Sequence, residues 1–201
     1  MCTWNSNKPY FERVLQSIKR EIPVHCFILV DRFSSDNGPQ VVQRYFPDAR
    51  IILTDSELAK ARQLGIQLVD TEHFVFVDDD IVLPDGWFRS LWKSIDSETG
   101  AIHGQAVPAV PLPYEEKWRR WQEKRAERLG RMVEKGILEV TEKNMDEHLG
   151  YTHNTIVRTD SCKNWRPPTG LSAFEDQVLL RHIVKKGYKW RIVQEISVQH
   201  Y

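Results

Sequence analysis

The sequence predicts an α/β fold in which one domain is built around a mostly parallel central sheet flanked by helices. Apolar segments of strand length alternate with segments of helical periodicity through the first half of the chain, and strands connected by helices run parallel. Acidic residues directly follow two of the predicted strands, which is where parallel sheets bind ligands. A chain of 201 residues, 41% of them hydrophobic, is large enough for one such domain.

Two helices and two strands are predicted before residue 54. The first helix begins after Pro9, which suits a first helical turn. Its apolar residues recur at helical spacing and are Tyr10, Phe11, Val14, Leu15 and Ile18. Cys26–Val30 and Ile51–Leu53 are short apolar strands. Between them, a turn-forming segment at 34–39 leads into a second helix with the apolar residues Val41, Val42, Tyr45 and Phe46.

The same alternation continues to residue 107. Apolar residues between Leu58 and Leu68 predict a helix, and Phe74–Val77 predicts the next strand. A further helix at Trp87–Ile95 and a strand at Ala101–Val107 complete the first half of the chain. The regular pattern resumes later, with Tyr151–Arg158, a helix over 175–186 and a final strand from residue 191.

The segment between these two regular parts begins with three prolines. Tyr114–Lys135 is strongly charged and is predicted to be helical, as the main part of a helical insertion at 114–148. Two interpretations stay open for it: a solvated helix at the rim of a site, or a basic helix in peripheral contact with the inner face of a membrane.

The totals exclude several classes of protein. Lys plus Arg equals 28 and Asp plus Glu equals 28, so the charge does not indicate a nucleic-acid partner. The cysteines Cys2, Cys26 and Cys162 lack Cys-x-x-Cys spacing, which favours a reducing compartment over a disulfide framework or a structural zinc site. No apolar run reaches the ~20 residues of a membrane span and no signal peptide opens the sequence, so we expect a cytoplasmic protein.

Three consecutive carboxylates, Asp78, Asp79 and Asp80, directly follow the Phe74–Val77 strand. Adjacent anions repel one another unless a cation lies among them. Hard oxygen ligands suit Mg²⁺ or Mn²⁺, which commonly bind one or two carboxylates together with the phosphates of a substrate. The alternative is an acidic turn or helix start without a ligand.

Two further segments indicate chemistry. Glu175 and Asp176 precede an amphipathic helix, where the helix dipole favours carboxylates, although an ordinary acidic first turn has the same pattern. On the last strand Ile196, Val198 and His200 share one face, so two buried apolar residues are expected to precede a histidine that emerges from the sheet. A histidine near the end of a strand is otherwise a surface residue.

These segments together resemble the GT-A-fold nucleotide-sugar glycosyltransferases of the large inverting type called family 2. Val77–Asp80 followed by Leu83–Trp87 resembles the Asp-x-Asp region of that family. Glu175-Asp176, with Leu179, Arg181, Gly187 and Tyr188 after it, is similar to the family's Glu-Asp motif and the helix that follows. Three further segments match in the family's order: Thr3-Trp4-Asn5, Asp31 with 34–37, and Ala59–Gly65.

The resemblance implies a role for each matching residue on the donor side. Thr3 would lie in the nucleotide site, Asp31 would accept hydrogen bonds from the base, and Arg62 would lie near the base or the diphosphate. Asp78 would hold the ribose or the sugar of the donor. Asp79 occupies the middle position of Asp-x-Asp and is assigned to the nucleotide sugar as well.

The resemblance also implies the catalytic and metal-binding residues. Asp80 and His200 would bind Mn²⁺ or Mg²⁺, Asp176 would be the general base, and Glu175 would support it. The donor would be a UDP- or GDP-sugar, and the acceptor would be a glycan, a lipid-linked compound or a small molecule. We expect residues 1–107 to form the nucleotide-sugar-binding half and 108–201 the acceptor-side half of a single domain.

Two features depart from the family pattern. Only Met1 and Cys2 precede Thr3, so we expect a truncated first strand that leaves a packing gap unless another element fills it. The sequence ends one residue after His200, so we expect the family's usual C-terminal lid or membrane tail to be missing. A catalytically silent nucleotide-sugar-binding homologue is therefore an alternative function. A nucleotidyltransferase is a weaker one, because it would need a Gly-rich phosphate loop.

Overall fold

The computed structural model describes residues 1–109, 120, 133–134, 136–147, 150–171 and 173–201. The helices are α1 Phe11–Glu21, α2 Gly38–Tyr45, α3 Leu58–Gln67, α4 Trp87–Trp92, α5 Thr159–Cys162 and α6 Glu175–Lys185. The strands are β1 Cys2–Thr3, β2 Ile28–Asp31, β3 Arg50–Leu53, β4 His73–Val77, β5 Ile81–Val82, β6 Thr99–Pro108, β7 Val133–Glu134, β8 Ile137–Val140, β9 Asn154–Arg158 and β10 Lys189–His200.

The first three strands form a parallel sheet in the order β1-β2-β3. The connections between them carry helices, because parallel neighbours cannot be joined by a tight turn. Helix α1 buries an apolar face that includes Phe11, Val14 and Leu15 in the core next to this sheet. The carboxyl ends of β1 and β2 place Thr3 and Asp31 opposite each other in register.

The remaining strands pair in the order β4-β9-β6-β10-β8-β7, and β5 also pairs with β10. β6 and β10 are parallel, and β4 runs in the same direction because β9 is antiparallel to both β4 and β6. The predicted α/β fold, a mostly parallel central sheet flanked by helices, is confirmed. Strands β5, β7, β8 and β9 add antiparallel pairs.

Residues 133–134 and 137–140 form strands β7 and β8, so the end of the predicted helical insertion 114–148 is wrong. Gly136 has a φ of +75°, a left-handed value that glycine adopts easily, and it lies in the turn between the two strands. β8 pairs with β10, a long-range contact that local periodicity does not reveal. Most of the predicted Tyr114–Lys135 helix lies outside the described residues, and no described helix is long and apolar enough to cross a membrane.

An apolar cavity of about 340 Å³ lies beside the short strand β1. Its walls include Ile28 and Val30 on β2 and Phe74 and Phe76 on β4. Within the described part of the chain β4 pairs only with β9, so its other edge has no strand partner.

Strand β10 approaches β6 so closely at Gly104 that a side chain has no room there. A Cβ atom on Gly104 would lie 2.7 Å from the backbone oxygen of Ile196 and 2.9 Å from its Cγ2. The pairing of β6 and β10 is irregular between Val193 and Ser197, where this contact falls. The path of β10 toward its last residues therefore depends on a glycine in β6.

We predict that Gly104→Ala destabilises the protein by about 1–3 kcal/mol, because a backbone oxygen cannot move aside as a flexible side chain can. Gly65→Ala is the matched control, since a Cβ atom there would lie 3.7 Å from Val30 in ordinary contact. That control should raise stability by about 0.5–1 kcal/mol, because alanine favours the helix. Denaturant unfolding measures both variants, and equal stability would contradict this account of β10.

Candidate active site

The Asp78–Asp80 turn directly follows β4, as the sequence predicted. The backbone N–H of Asp78 donates a hydrogen bond to the carbonyl oxygen of His153, with 3.1 Å between nitrogen and oxygen. The carbonyl oxygen of Asp78 accepts from the N–H of Ile81 at 3.4 Å, which closes the turn. The three carboxylates are thus held at the end of a strand whose other residues pack in the core.

Arg62 of α3 lies at the centre of the site and is 5% exposed. Its Nη2 is 3.0 Å from Oδ1 of Asp78, and its Nη1 is 2.7 Å from Oε1 of Glu175. Nη1 also donates a hydrogen bond to the hydroxyl of Thr152. One buried guanidinium thereby joins the Asp-x-Asp turn to the first turn of α6, which lies about a hundred residues later in the sequence.

The electrostatics of Arg62 follow from this arrangement. Burial acts to lower the pKa of the guanidinium, but the carboxylates of Asp78 and Glu175 outweigh it, and the pKa of Arg62 is raised. The guanidinium contacts Asp78, Glu175 and Thr152 and so holds the two acidic segments together. Its position near a base or a diphosphate stays a prediction.

Asp79 is the middle carboxylate and is partly buried. Burial raises its pKa to about 6, while the hydroxyl of Ser6, which donates a hydrogen bond to Oδ2, opposes the shift. The neighbouring charges of Asp80 and Asp78 raise this pKa further. Ser6 belongs to the loop after β1, so Asp79 connects the turn to that loop.

Asp80 and His200 lie side by side, as expected from the resemblance. Oδ2 of Asp80 is 3.2 Å from Nε2 of His200, and the carbonyl oxygen of Asp80 accepts from the N–H of Tyr201 at 3.0 Å. The antiparallel pairing of β5 with the end of β10 places them together, because His200 is in register with Ile81. The hydrogen bond to Asp80 raises the pKa of His200.

A divalent ion fits this pair by donor chemistry. A carboxylate oxygen and an imidazole nitrogen are adjacent and partly exposed, and the side chains are 29% and 48% accessible. Among the described residues there is no group of three or more histidine, cysteine, aspartate or glutamate side chains that could hold a metal. Two protein donors leave most of the coordination shell to phosphate oxygens and water, as is usual for Mg²⁺.

Asp31 is 1% exposed and its carboxylate is engaged by the protein. Oδ1 accepts from the hydroxyl of Thr3 at 2.9 Å, and Oδ2 accepts from the backbone N–H of Ser34 at 2.7 Å. The loop after β2 is therefore fixed by Asp31. Its contact with a nucleotide base stays a prediction, and so does that of Thr3.

Asp176 lies in the first turn of α6 and is partly buried. Burial raises the pKa of its carboxyl, and the charge of Glu175 raises it further, although the N–H of Gln177 donates to Oδ1 at 2.8 Å. A carboxyl with a raised pKa is a stronger base once ionised. Glu175 forms an ion pair with Arg62. The roles of Asp176 as base and Glu175 as its support stay predictions.

Two residues and one cavity near the site were not identified from the sequence. Thr152 and His153 precede β9 and contact Arg62, Asp78 and His200, which the sequence pattern alone did not indicate. At the carboxyl ends of β1 to β3 there is a second cavity of about 200 Å³, lined in part by Trp4 and Arg32. The guanidinium of Arg32 lies 5.3 Å from the Trp4 ring centroid, and Trp4 is 64% exposed.

The sequence matches the model of the family described as Glycosyl transferase family 2 over residues 1–165. The chain belongs to this family. Membership agrees with the order of the acidic motifs along the chain and with their convergence on Arg62. No curated protein shows a significant match to the sequence.

Several solved structures share the fold of this family 2 chain. Residues 1–349 of TarS of S. aureus in complex with UDP have a TM-score of 0.72 and 19% identity over 98% of this chain and 57% of that TarS chain. The mannosyltransferase PcManGT of Pyrobaculum calidifontis, solved with GDP-Man and Mn²⁺, has a TM-score of 0.67 and 17% identity over 99% of this chain and 55% of its own.

A third structure is glucosyl-3-phosphoglycerate synthase from Mycobacterium tuberculosis in complex with Mg²⁺ and UDP. Its TM-score is 0.63 and its identity is 13%, over 100% of this chain and 69% of the synthase. All three identities are below the range in which function transfers, so these likenesses establish the GT-A fold. The chain spans 57% of the TarS 1–349 chain and 55% of the PcManGT chain, little more than half of each.

We predict that Arg62→Met destabilises the protein by about 3–5 kcal/mol, because it leaves the buried Glu175 carboxylate and the partly buried Asp78 carboxylate without their cation. Arg44→Met is the matched control, since Arg44 and Glu12 form an exposed ion pair at 3.1 Å whose loss should cost about 1 kcal/mol or less. Urea unfolding of both variants measures the difference. Equal losses would mean that Arg62 is not the element that holds the two motifs together.

Proposed function

We propose that this family 2 chain is a metal-dependent inverting glycosyltransferase that moves a sugar from a nucleotide-diphosphate sugar to a hydroxyl acceptor. The proposal is supported by one observation above the others: the Asp-x-Asp turn, the Glu-Asp turn and His200 are far apart in sequence and meet in one site around Arg62 and Asp80. Clustered acids with raised pKa values are typical of functional sites.

The donor is a UDP- or GDP-sugar, and its nucleotide lies along the carboxyl ends of β1, β2 and β4. Thr3, Asp31 and Arg62 define this side through the loops that they fix, and Trp4 offers an exposed aromatic face for a base. Asp78 and Asp79 lie at the sugar end. The complexes of TarS with UDP and of PcManGT with GDP-Man support a donor of this class.

Asp80 and His200 would hold Mn²⁺ or Mg²⁺, and the diphosphate of the donor would complete the coordination shell. When bound, the ion neutralises charge that gathers on the leaving diphosphate. The complexes of PcManGT with Mn²⁺ and of the mycobacterial synthase with Mg²⁺ support this choice of ions.

Asp176 acts as the general base. Its carboxylate takes the proton of the acceptor hydroxyl while the hydroxyl oxygen forms a bond to the anomeric carbon. The bond from that carbon to the diphosphate oxygen breaks, and its electron pair leaves with the diphosphate, so the configuration inverts. Burial of Asp176 and the charge of Glu175 raise the pKa of this base and favour its protonation in the transition state.

The acceptor is recognised by the second half of the chain, 108–201, and the first half, 1–107, carries most of the donor contacts. A glycan, a lipid-linked compound and a small molecule all present the hydroxyl that the chemistry requires. Peripheral contact with a membrane through 114–135 stays a prediction, because most of that segment lies outside the described residues.

We predict that UDP or GDP raises the melting temperature only when Mn²⁺ is present, because two protein donors need phosphate oxygens to hold the ion. The measurement is a thermal-shift panel of nucleoside diphosphates with Mn²⁺ and with chelator. Asp80→Asn should abolish the metal-dependent part of the shift. Asp85→Asn, an exposed acid next to the turn, is the control and should keep it.

Equal binding with Mn²⁺ and with chelator would remove the metal role of Asp80 and His200. Absence of any nucleotide effect, under conditions in which the protein is folded, would contradict the donor site as a whole.

We predict that Asp176→Asn lowers the rate of sugar transfer by about 10²–10⁴-fold and leaves donor affinity nearly unchanged, because it keeps the shape and removes the basicity. The assay measures kcat and the donor KM once a donor and an acceptor are known. Transfer at the wild-type rate would mean that the base lies elsewhere. Donor binding with no transfer by the wild-type chain would favour a silent binding homologue.

Asp176→Asn should also change the stability of the protein, and this effect can be measured without a substrate. The raised pKa of Asp176 means that its ionised form destabilises the folded state, so this contribution grows as the pH rises above the unfolded pKa of about 3.9. Asp176→Asn should therefore raise the melting temperature at pH 7.5 and change it little near pH 3. Asp48→Asn, on an exposed turn, is the control and should be neutral at both pH values.

A further inference from the structure

His153 lies next to both halves of the metal-binding pair and has no role in the function proposed above. It directly precedes β9 and is 8% exposed, so its ring is fixed by its surroundings. A buried ring at this place is a packing element of the site.

The ring of His153 stacks on the ring of His200. The two ring centroids are 5.8 Å apart and the ring planes differ by 17°. The side chain of His200 is 48% accessible and stands at the end of β10, where its Nε2 contacts Asp80. The stack supplies a fixed surface on the buried side of an otherwise exposed imidazole.

The ring of His153 is itself anchored in the interior. Tyr151 packs against it with centroids 5.2 Å apart, and His103 lies at 6.3 Å. His103 is 1% exposed and contacts the fully buried Trp190 at 6.1 Å. A column of rings therefore extends from the core beside β6 and β10 to His200.

The backbone of His153 acts on the other side of the site. Its carbonyl oxygen accepts the hydrogen bond from the N–H of Asp78, which begins the Asp78–Asp80 turn. One residue thus contacts the acidic turn through its main chain and His200 through its ring. Substitution of the side chain removes only the second contact, which makes the two roles separable by mutation.

The hydrogen bonding of Nε2 does not explain why the ring of His153 is buried. Nε2 of His153 is buried and, within the described part of the chain, makes no hydrogen bond. A buried polar atom without a partner destabilises the folded state. A phenyl ring would provide the same stacking surface without that penalty. His153→Phe should therefore keep the function of His153 if the ring surface matters and lose it if the ring nitrogen matters.

We infer that His153 is a positioning residue of the metal site, whose ring holds the imidazole of His200 in the orientation that binds a divalent ion beside Asp80. The inference rests on the proposed metal role of Asp80 and His200. Residues that orient a metal ligand typically change metal affinity by about 10–100-fold when they are removed. The effect arises because the ligand must otherwise lose rotational freedom on binding the ion.

The test is a titration of the folded chain with Mn²⁺ in the presence of saturating UDP or GDP, followed by electron paramagnetic resonance of free Mn²⁺. His153→Ala and His153→Leu should weaken Mn²⁺ affinity by about tenfold, because neither keeps a planar ring. His153→Phe should stay within about twofold of the wild type. His153→Leu retains the bulk of the side chain, so it covers the case in which the alanine variant does not fold.

His73→Ala is the matched control. The His73 ring also contacts an aromatic ring, that of Trp92 at 5.1 Å, and its Nε2 is also buried without a partner among the described residues. It lies at the opposite end of β4 from the acidic turn, so Mn²⁺ affinity should not change.

Three results would overturn the inference. If His200→Ala weakens Mn²⁺ binding and His153→Leu does not, His153 does not position His200. If His153→Phe loses as much affinity as His153→Leu, the nitrogen and not the ring is what matters. If His200→Ala itself has no effect, the proposed metal site fails and this inference fails with it.

Discussion

The buried guanidinium of Arg62 is the interaction on which the rest of the site depends. It is 5% exposed and contacts Asp78 on one side and Glu175 on the other, so three charges share one poorly solvated place. Each charge is tolerable there only because the other two are present, since an unpaired buried charge is strongly destabilising. Helix α3, the turn after β4 and the start of α6 are consequently fixed with respect to one another.

This ion-pair network divides the acids of the site into two kinds. Asp78 and Glu175 are paired with Arg62, whereas Asp79 and Asp176 form no ion pair among the described residues and have raised pKa values. The paired acids hold the site together, and the raised pKa of Asp176 suits the general base proposed for it. Burial and ion pairing alone can therefore give adjacent carboxylates in one site different properties.

Strand β10 adds the second constraint, because it is the element that brings His200 to Asp80. It crosses β6 in parallel over most of its length and reaches β5 only with its last residues. The irregular pairing of β10 with β6 and the close approach at Gly104 determine where the end of β10 lies. The column of rings that includes His153 then holds the side chain of His200 at the end of β10. The backbone path of β10 and the packing of this ring therefore both determine where the His200 imidazole lies.

The sequence by itself determined the fold class, the eight helices and strands predicted between residues 10 and 107 to within a few residues, and the positions of the acidic turn, the Glu-Asp turn and His200 as candidate site residues. These signals are local, because strand length, helical spacing and acids at strand ends can be read from neighbouring residues. Only the tertiary structure decided that Arg62 binds Asp78 and Glu175, that β8 pairs with β10, and that His153 stacks on His200. Each of these depends on contacts between segments from sixteen to more than a hundred residues apart, and residue type alone does not tell which of several cations or rings will occupy a shared buried space.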